Sequence, residues 1–153
     1  MTETARRPSL DTAIVCKDAR AELVWLEKAF GFELTMLITD EAGNVQHSEM
    51  SFGDGYIMVG NEWADYTKAP SAVSGANTQT IHVHLTNDID AHCERARAAG
   101  AVILMELEDQ FYGDRSYRAR DPEGHVWSFG QTVRVVPEAE WEAASGLKVA
   151  HSL

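Results

Sequence analysis

The sequence predicts an α+β fold made of two βαβββ modules in tandem, and three observations carry that prediction. The chain has 153 residues, 44% hydrophobic and 24% charged, which suits one domain with a real core and is too apolar for disorder. Landmarks recur at a spacing of 69 residues: Asp18 with Asn87, Gly31 with Gly100, Gly55 with Gly124. Each half also repeats one order of patterns, a strand, an amphipathic helix and three extended runs.

The first strand is read over 12–17. A helix follows over 19–30, with Leu23, Leu26 and Phe30 on one face, Asp18 as its N-cap and Gly31 just past its end. Extended runs cover 32–39, 45–52 and 56–60, joined by turns at Glu41-Ala42-Gly43-Asn44 and Asp54-Gly55. The second half gives a strand over 80–86 and a helix over 89–99, capped by Asn87 or Asp88 and closed by Gly100. Its runs cover 101–107, 115–120 and 125–131, and Asp121-Pro122-Glu123-Gly124 stands where the second turn of the first half stood. The expected organisation is a single domain over 1–153. Module one covers about 9–63, a linker about 64–77, module two about 78–132, and a tail helix about 137–145 starts at Pro137.

Charge narrows the function. Thirteen Lys and Arg face 24 Asp and Glu, a formal charge of -11, the reverse of a nucleic-acid footprint. No apolar run approaches the roughly 18 residues of a membrane span, and Met1 to Leu10 carries Arg6 and Arg7 without an apolar leader core. Cys16 and Cys93 therefore read as reduced, small buried side chains of a cytoplasmic protein. Nucleophile elbow, phosphate loop and Cys-x-x-Cys pair are all missing from the sequence.

Several segments carry a family likeness. They are Lys17-Asp18-Ala19, Trp25-Leu26-Glu27-Lys28-Ala29-Phe30-Gly31-Phe32, His47-Ser48-Glu49-Met50-Ser51-Phe52-Gly53-Asp54, and Asp88-Ile89-Asp90-Ala91-His92. Last come Tyr112-Gly113-Asp114-Arg115 and Asp121-Pro122-Glu123-Gly124-His125-Val126-Trp127. In this order the chain resembles the vicinal oxygen chelate superfamily over about 9–132. That superfamily includes glyoxalase I, fosfomycin- and bleomycin-resistance proteins and extradiol dioxygenases, and the closest flavour is the PhnB-like or glyoxalase-like branch. The resemblance implies a curved mixed sheet enclosing a cleft, helices on its outer face, and a homodimer with the cleft near the subunit interface. It also implies a divalent ion (Zn, Ni, Mn or Fe) held by His, Glu or Gln from the first and last strands of each module. Carried over position by position, that set is broken. Asp11 stands where His is common, Ser128 stands where Glu is usual, and residues 56–60 offer no hard ligand. In module two, family counting falls between Gln79 and His82. No cofactor is expected.

Strand alternation proposes a displaced polar group. His82 and His84 face away from Ile81, Val83 and Leu85, and His47 and Glu49 face away from Met50 and Phe52. If both sets face one cleft, it holds three imidazoles and a carboxylate; the alternative is a hydrogen-bonded polar wall. Trp63 and Tyr66 either rim a site for flat ligands or pin the linker. Tyr112 and Arg115 flank a turn, where Arg115 either grips a ligand carboxylate or pairs with nearby acids. Trp127 and Phe129 read as core, His125 as a structural residue of its turn, and His92 as lying on the outside of the second helix. Two functions compete. One is a homodimeric binder of a small organic molecule, lacking the usual metal. The other is a divalent-metal lyase, isomerase or dioxygenase acting on a substrate with vicinal oxygens, with Glu49 as general base through a raised pKa.

Overall fold

The computed structural model describes residues 7–153; of the segment read over Met1 to Leu10, the first six residues, Arg6 among them, lie outside the described residues. The chain forms two compact units. The first runs to Thr78 and takes in Pro122–His125; the second comprises Gln79–Asp121 and Val126–Leu153.

In the first unit β1 (Thr12–Cys16) leads to α1 (Ala19–Phe30), then β2 (Glu33–Thr39), β3 (Val45–Phe52) and β4 (Gly55–Asn61), with a 3-10 turn at Pro70–Val73. The sheet order is β1-β4-β3-β2, with β1 parallel to β4 and the other pairs antiparallel. The second unit repeats this: β5 (Thr80–His84), α2 (Ile89–Ala98), β6 (Val102–Asp109), β7 (Asp114–Arg120) and β8 (Val126–Thr132), ordered β5-β8-β7-β6. The tail ends in α3 (Glu138–Ser145). The tandem βαβββ reading therefore holds, as two mixed four-stranded sheets. No helix among the described residues is long and apolar enough to cross a membrane.

Local chemistry sets the helix starts. The first N–H groups of a helix lack internal partners. Asp18 Oδ1 accepts from Ala21 N at 3.0 Å, and Asn61, at the end of β4, accepts from Ala19 N at 2.9 Å. The second unit repeats the device with Asp88 on Ala91 N at 3.1 Å and Gln131 on Ile89 N at 2.9 Å. Glu123 adds a carboxylate to the first start, accepting from Lys17 N at 2.7 Å and Asp18 N at 3.0 Å. Gly31 ends α1 at φ 80°, its N–H on Leu26 and Glu27 carbonyls.

Each sheet buries one face under its helix. Ile14, Cys16, Leu23, Leu26, Phe30, Met50, Ile57 and Val59 form the first core, and Val83, Ile89, Cys93, Tyr117, Trp127 and Phe129 the second. Trp127 and Phe129 are core as expected, and the Tyr117 and Phe129 rings stack at 5.0 Å. The repeat extends to an irregularity: the register shifts between Leu34 and Met36 and again between Ile103 and Met105. These β-bulges lie one 69-residue period apart on the edge strands β2 and β6, and bulges blunt exposed edges.

Three expectations change. The β3–β4 hairpin turns on Gly53-Asp54, not Asp54-Gly55: Phe52 pairs with Gly55, and Gly53 takes the positive φ of 56°. Glycine first in a two-residue loop suits a II′ turn. The corresponding loop of the second module is longer, because Arg120 pairs with Val126 and the positive φ falls on Gly124. Gly55 and Gly124 thus match in spacing but not in role. His92 faces inward: its Nδ1 lies 2.7 Å from the Tyr117 hydroxyl and its ring 4.6 Å from that of Phe129. His125 keeps a structural place, with Nε2 2.8 Å from the Val15 carbonyl.

Candidate functional site

Alternation along β1, β3 and β4 leaves one face of the first sheet uncovered by α1. It carries Ala13 and Val15, His47 and Glu49, and Tyr56, Met58 and Gly60. The register sets Ala13 beside Met58, Val15 beside Gly60 and Glu49 beside Met58. A cavity of about 650 Å³ opens here, floored by Ala13, Val15, Met58 and Gly60, with His47 on its wall and Trp63 at its lip. An added Cβ at Gly60 would meet nothing within 4 Å, so the floor is open above Gly60.

The lip is held by its backbone. Trp63 N and Ala64 N donate to the Thr67 hydroxyl at 3.2 and 3.0 Å, and Ala69 N donates to Glu62 at 3.0 Å. Trp63 and Tyr66 are 70% and 79% exposed and meet edge to face at 5.4 Å. Their rings therefore do not pin the linker; the hydrogen-bonded loop holds them in solvent.

His47 Nε2 lies 3.1 Å from Glu49 Oε1, and the Arg7 guanidinium contacts both Glu49 oxygens at 3.3 and 3.4 Å. The His47 hydrogen bond, helped by Arg7 and opposed by burial, holds the Glu49 carboxyl below the usual carboxylate range. The raised pKa expected of a general base is thus overturned: the partners of Glu49 outweigh its desolvation. Sequence reasoning missed Arg7, which no motif marks. It also missed Gly60, although a lone glycine within a strand does signal close approach to the backbone.

In the second unit His82 and His84 lie exposed on β5, away from buried Val83 and Leu85. His82 Nδ1 is 3.0 Å from the Ser128 hydroxyl, and its ring lies 3.1 Å from where a Cβ on Gly130 would stand. Arg115 binds Asp90 through two nitrogens at 2.9 and 3.1 Å and Asp109 through a third at 3.1 Å. Those carboxylates raise its pKa. Tyr112 packs against Phe111 and Trp141. Both residues are thus engaged with side chains of their own unit.

The residues can be tested against a divalent ion. His82 pairs with Ser128 in register as Ala13 pairs with Met58, so these four positions correspond between the modules, and only His82 is a metal donor. Ala13, not Asp11, is the counterpart of His82; Asp11 accepts a hydrogen bond from the Tyr56 hydroxyl. Among the described residues no group of three or more His, Cys, Asp or Glu could hold a metal. This donor set does not fit the ion that the resemblance implies.

The family model for the Glyoxalase/Bleomycin resistance protein/Dioxygenase superfamily matches residues 10–129. An uncharacterized protein of Mycobacterium bovis is 33% identical over 141 residues, 90% of this chain and 91% of that protein. An uncharacterized protein of Mycobacterium tuberculosis strain H37Rv is also 33% identical, over 90% of this chain and 82% of its own length. TioX from Micromonospora sp. ML1 superposes with a TM-score of 0.66 at 30% identity, over 82% of this chain and 98% of that one. TnmS3, an antibiotic binding protein from Streptomyces sp. CB03234, does so with a TM-score of 0.61 at 16% identity, over 85% and 99%.

Proposed function

Because the chain belongs to the glyoxalase/bleomycin resistance protein/dioxygenase superfamily, we propose that it is a non-catalytic binder of a small, flat organic molecule. It works as a cytoplasmic homodimer without a resident metal. The observation that carries this reading is the cavity floor: Ala13 and Gly60 leave open space between strands that an exposed tryptophan borders. A planar ligand laid on Gly60 gains apolar contact below and a stacking partner at Trp63. The same fold in TnmS3 belongs to a protein described as antibiotic-binding, so the fold accommodates such ligands. A metal-dependent lyase or dioxygenase would need donors that Ala13, Met58 and Ser128 do not supply, and a stronger base than Glu49.

The test combines elemental analysis of tag-free protein with binding of planar aromatic antibiotics, read by tryptophan fluorescence. Gly60→Leu should fold like wild type, since its side chain enters open space, yet block binding. Trp63→Ala should weaken binding by about 0.5–1.5 kcal/mol, up to roughly tenfold. Stoichiometric transition metal, or a Gly60→Leu protein that binds as well as wild type, would overturn the proposal.

A further inference from the structure

The uncovered face of the first sheet also holds a cation in a preformed seat, and the chain itself supplies that cation. Glu49 is 9% exposed and fixed in the middle of β3. The Arg7 guanidinium reaches both its oxygens, and its carbon lies 5.3 Å from the centre of the Tyr56 ring. Arg7 Nη1 is also 3.2 Å from the Tyr56 oxygen. The rest of the seat is built without Arg7. His47 braces Glu49 at 3.1 Å, and the Tyr56 hydroxyl donates to Asp11. A buried carboxylate beside an aromatic ring is a recognition pattern for planar, delocalised cations.

The occupant is held loosely. The Arg7 side chain is 61% exposed. Its contacts of 3.3 and 3.4 Å exceed the roughly 2.7–2.9 Å of strong charge-assisted hydrogen bonds. Exposed pairs of this kind are weak. It approaches from the segment before β1, while every other member is fixed in or beside a strand.

We propose that Glu49, Tyr56 and His47 form a recognition site for an amidinium, guanidinium or ammonium group on the ligand, and that Arg7 is a tethered competitor for that site. The assignment rests on this sheet face being the ligand wall, and it names the charged group the ligand carries. The net charge of -11 favours approach of such a cation.

Benzamidine, a planar aromatic cation, is the probe, with neutral benzamide as its control. Both are titrated into wild type and variants by calorimetry and NMR. Arg7→Ala should bind benzamidine about three- to fivefold more tightly than wild type, the gain expected from removing a weak exposed pair. Arg7→Lys should bind as weakly as wild type, and Glu49→Gln added to Arg7→Ala should abolish the gain. Shifts should centre on the Tyr56 and His47 rings, and benzamide should gain nothing. Equal benzamidine affinity in wild type and Arg7→Ala, or an equal gain for benzamide, overturns the proposal. Should Glu49→Gln fail to fold, Arg7→Ala against Arg7→Lys decides alone. Because the probe needs neither Gly60 nor Trp63, failure here is distinguishable from failure of the wider binding function.

Discussion

Glu49 lies between two fully buried neighbours, Ser48 and Met50, yet its side chain points to the opposite face, where His47 and Arg7 meet it. Its pKa is pulled below the usual carboxylate range, first by the His47 hydrogen bond. A depressed folded-state pKa stabilises the fold when the carboxyl is ionised; that stability is full above the unfolded pKa and drains away as pH falls through the folded one. Wild type should therefore melt above Glu49→Gln at pH 7, with the gap closing as pH falls through and below the usual carboxylate range. Thermal melts from neutral to acid pH check it; a gap that does not narrow on acidification would mean that another group carries the acid sensitivity.

At the level of the element, the tail is fastened at a point that tolerates only glycine. Gly113 sits at φ 106°, and its carbonyl accepts from Val133 N at 3.0 Å and Arg134 N at 3.2 Å. A Cβ there would lie 2.2 Å from the Arg134 carbonyl oxygen, and left-handed strain adds to that clash. Gly113→Ala should destabilise by about 1–3 kcal/mol and loosen α3, freeing Trp141 from Tyr112. Faster proteolysis within 133–153 in that variant would confirm it, and an unchanged cleavage rate would refute it. The same contrast between local and distant forces explains what the sequence made legible. The bounds of α1 were readable because Asp18 and Gly31 act within a turn of the helix they close. The facing of His82 and His84 was readable because alternation is a property of the strand alone. The β3–β4 turn falls one residue earlier than the sequence indicates because Asp54-Gly55 is a local signal, whereas the pairing of Phe52 with Gly55 is set by the sheet. The near partners, His47 of Glu49 and Asp109 of Arg115, lay within reach of local reading; the distant ones did not, because Arg7 and Asp90 stand 42 and 25 residues away and only the fold brings them close.

For the molecule as a whole, the edge strand β2 argues for the homodimer. All seven of its residues are exposed, and Leu34, Met36, Leu37 and Ile38 put apolar side chains on both faces. A bare edge of this kind invites pairing, and apart from its bulge and Glu33 nothing on β2 discourages it. A second copy is the proposed occupant, which sets two forces against each other. Burying β2 favours association, whereas two chains of charge -11 repel until salt shortens the Debye length, about 30 Å at 0.01 M and 8 Å at 0.15 M. The dimer should therefore tighten as salt rises, opposite to an interface built on ion pairs. Ile38→Glu, at a side chain already 50% exposed, should leave the fold intact and shift the protein to monomer. Sedimentation velocity across salt and concentration reads both effects. A wild type that stays monomeric throughout, or a dimer that dissociates as salt is added, would remove β2 as the interface.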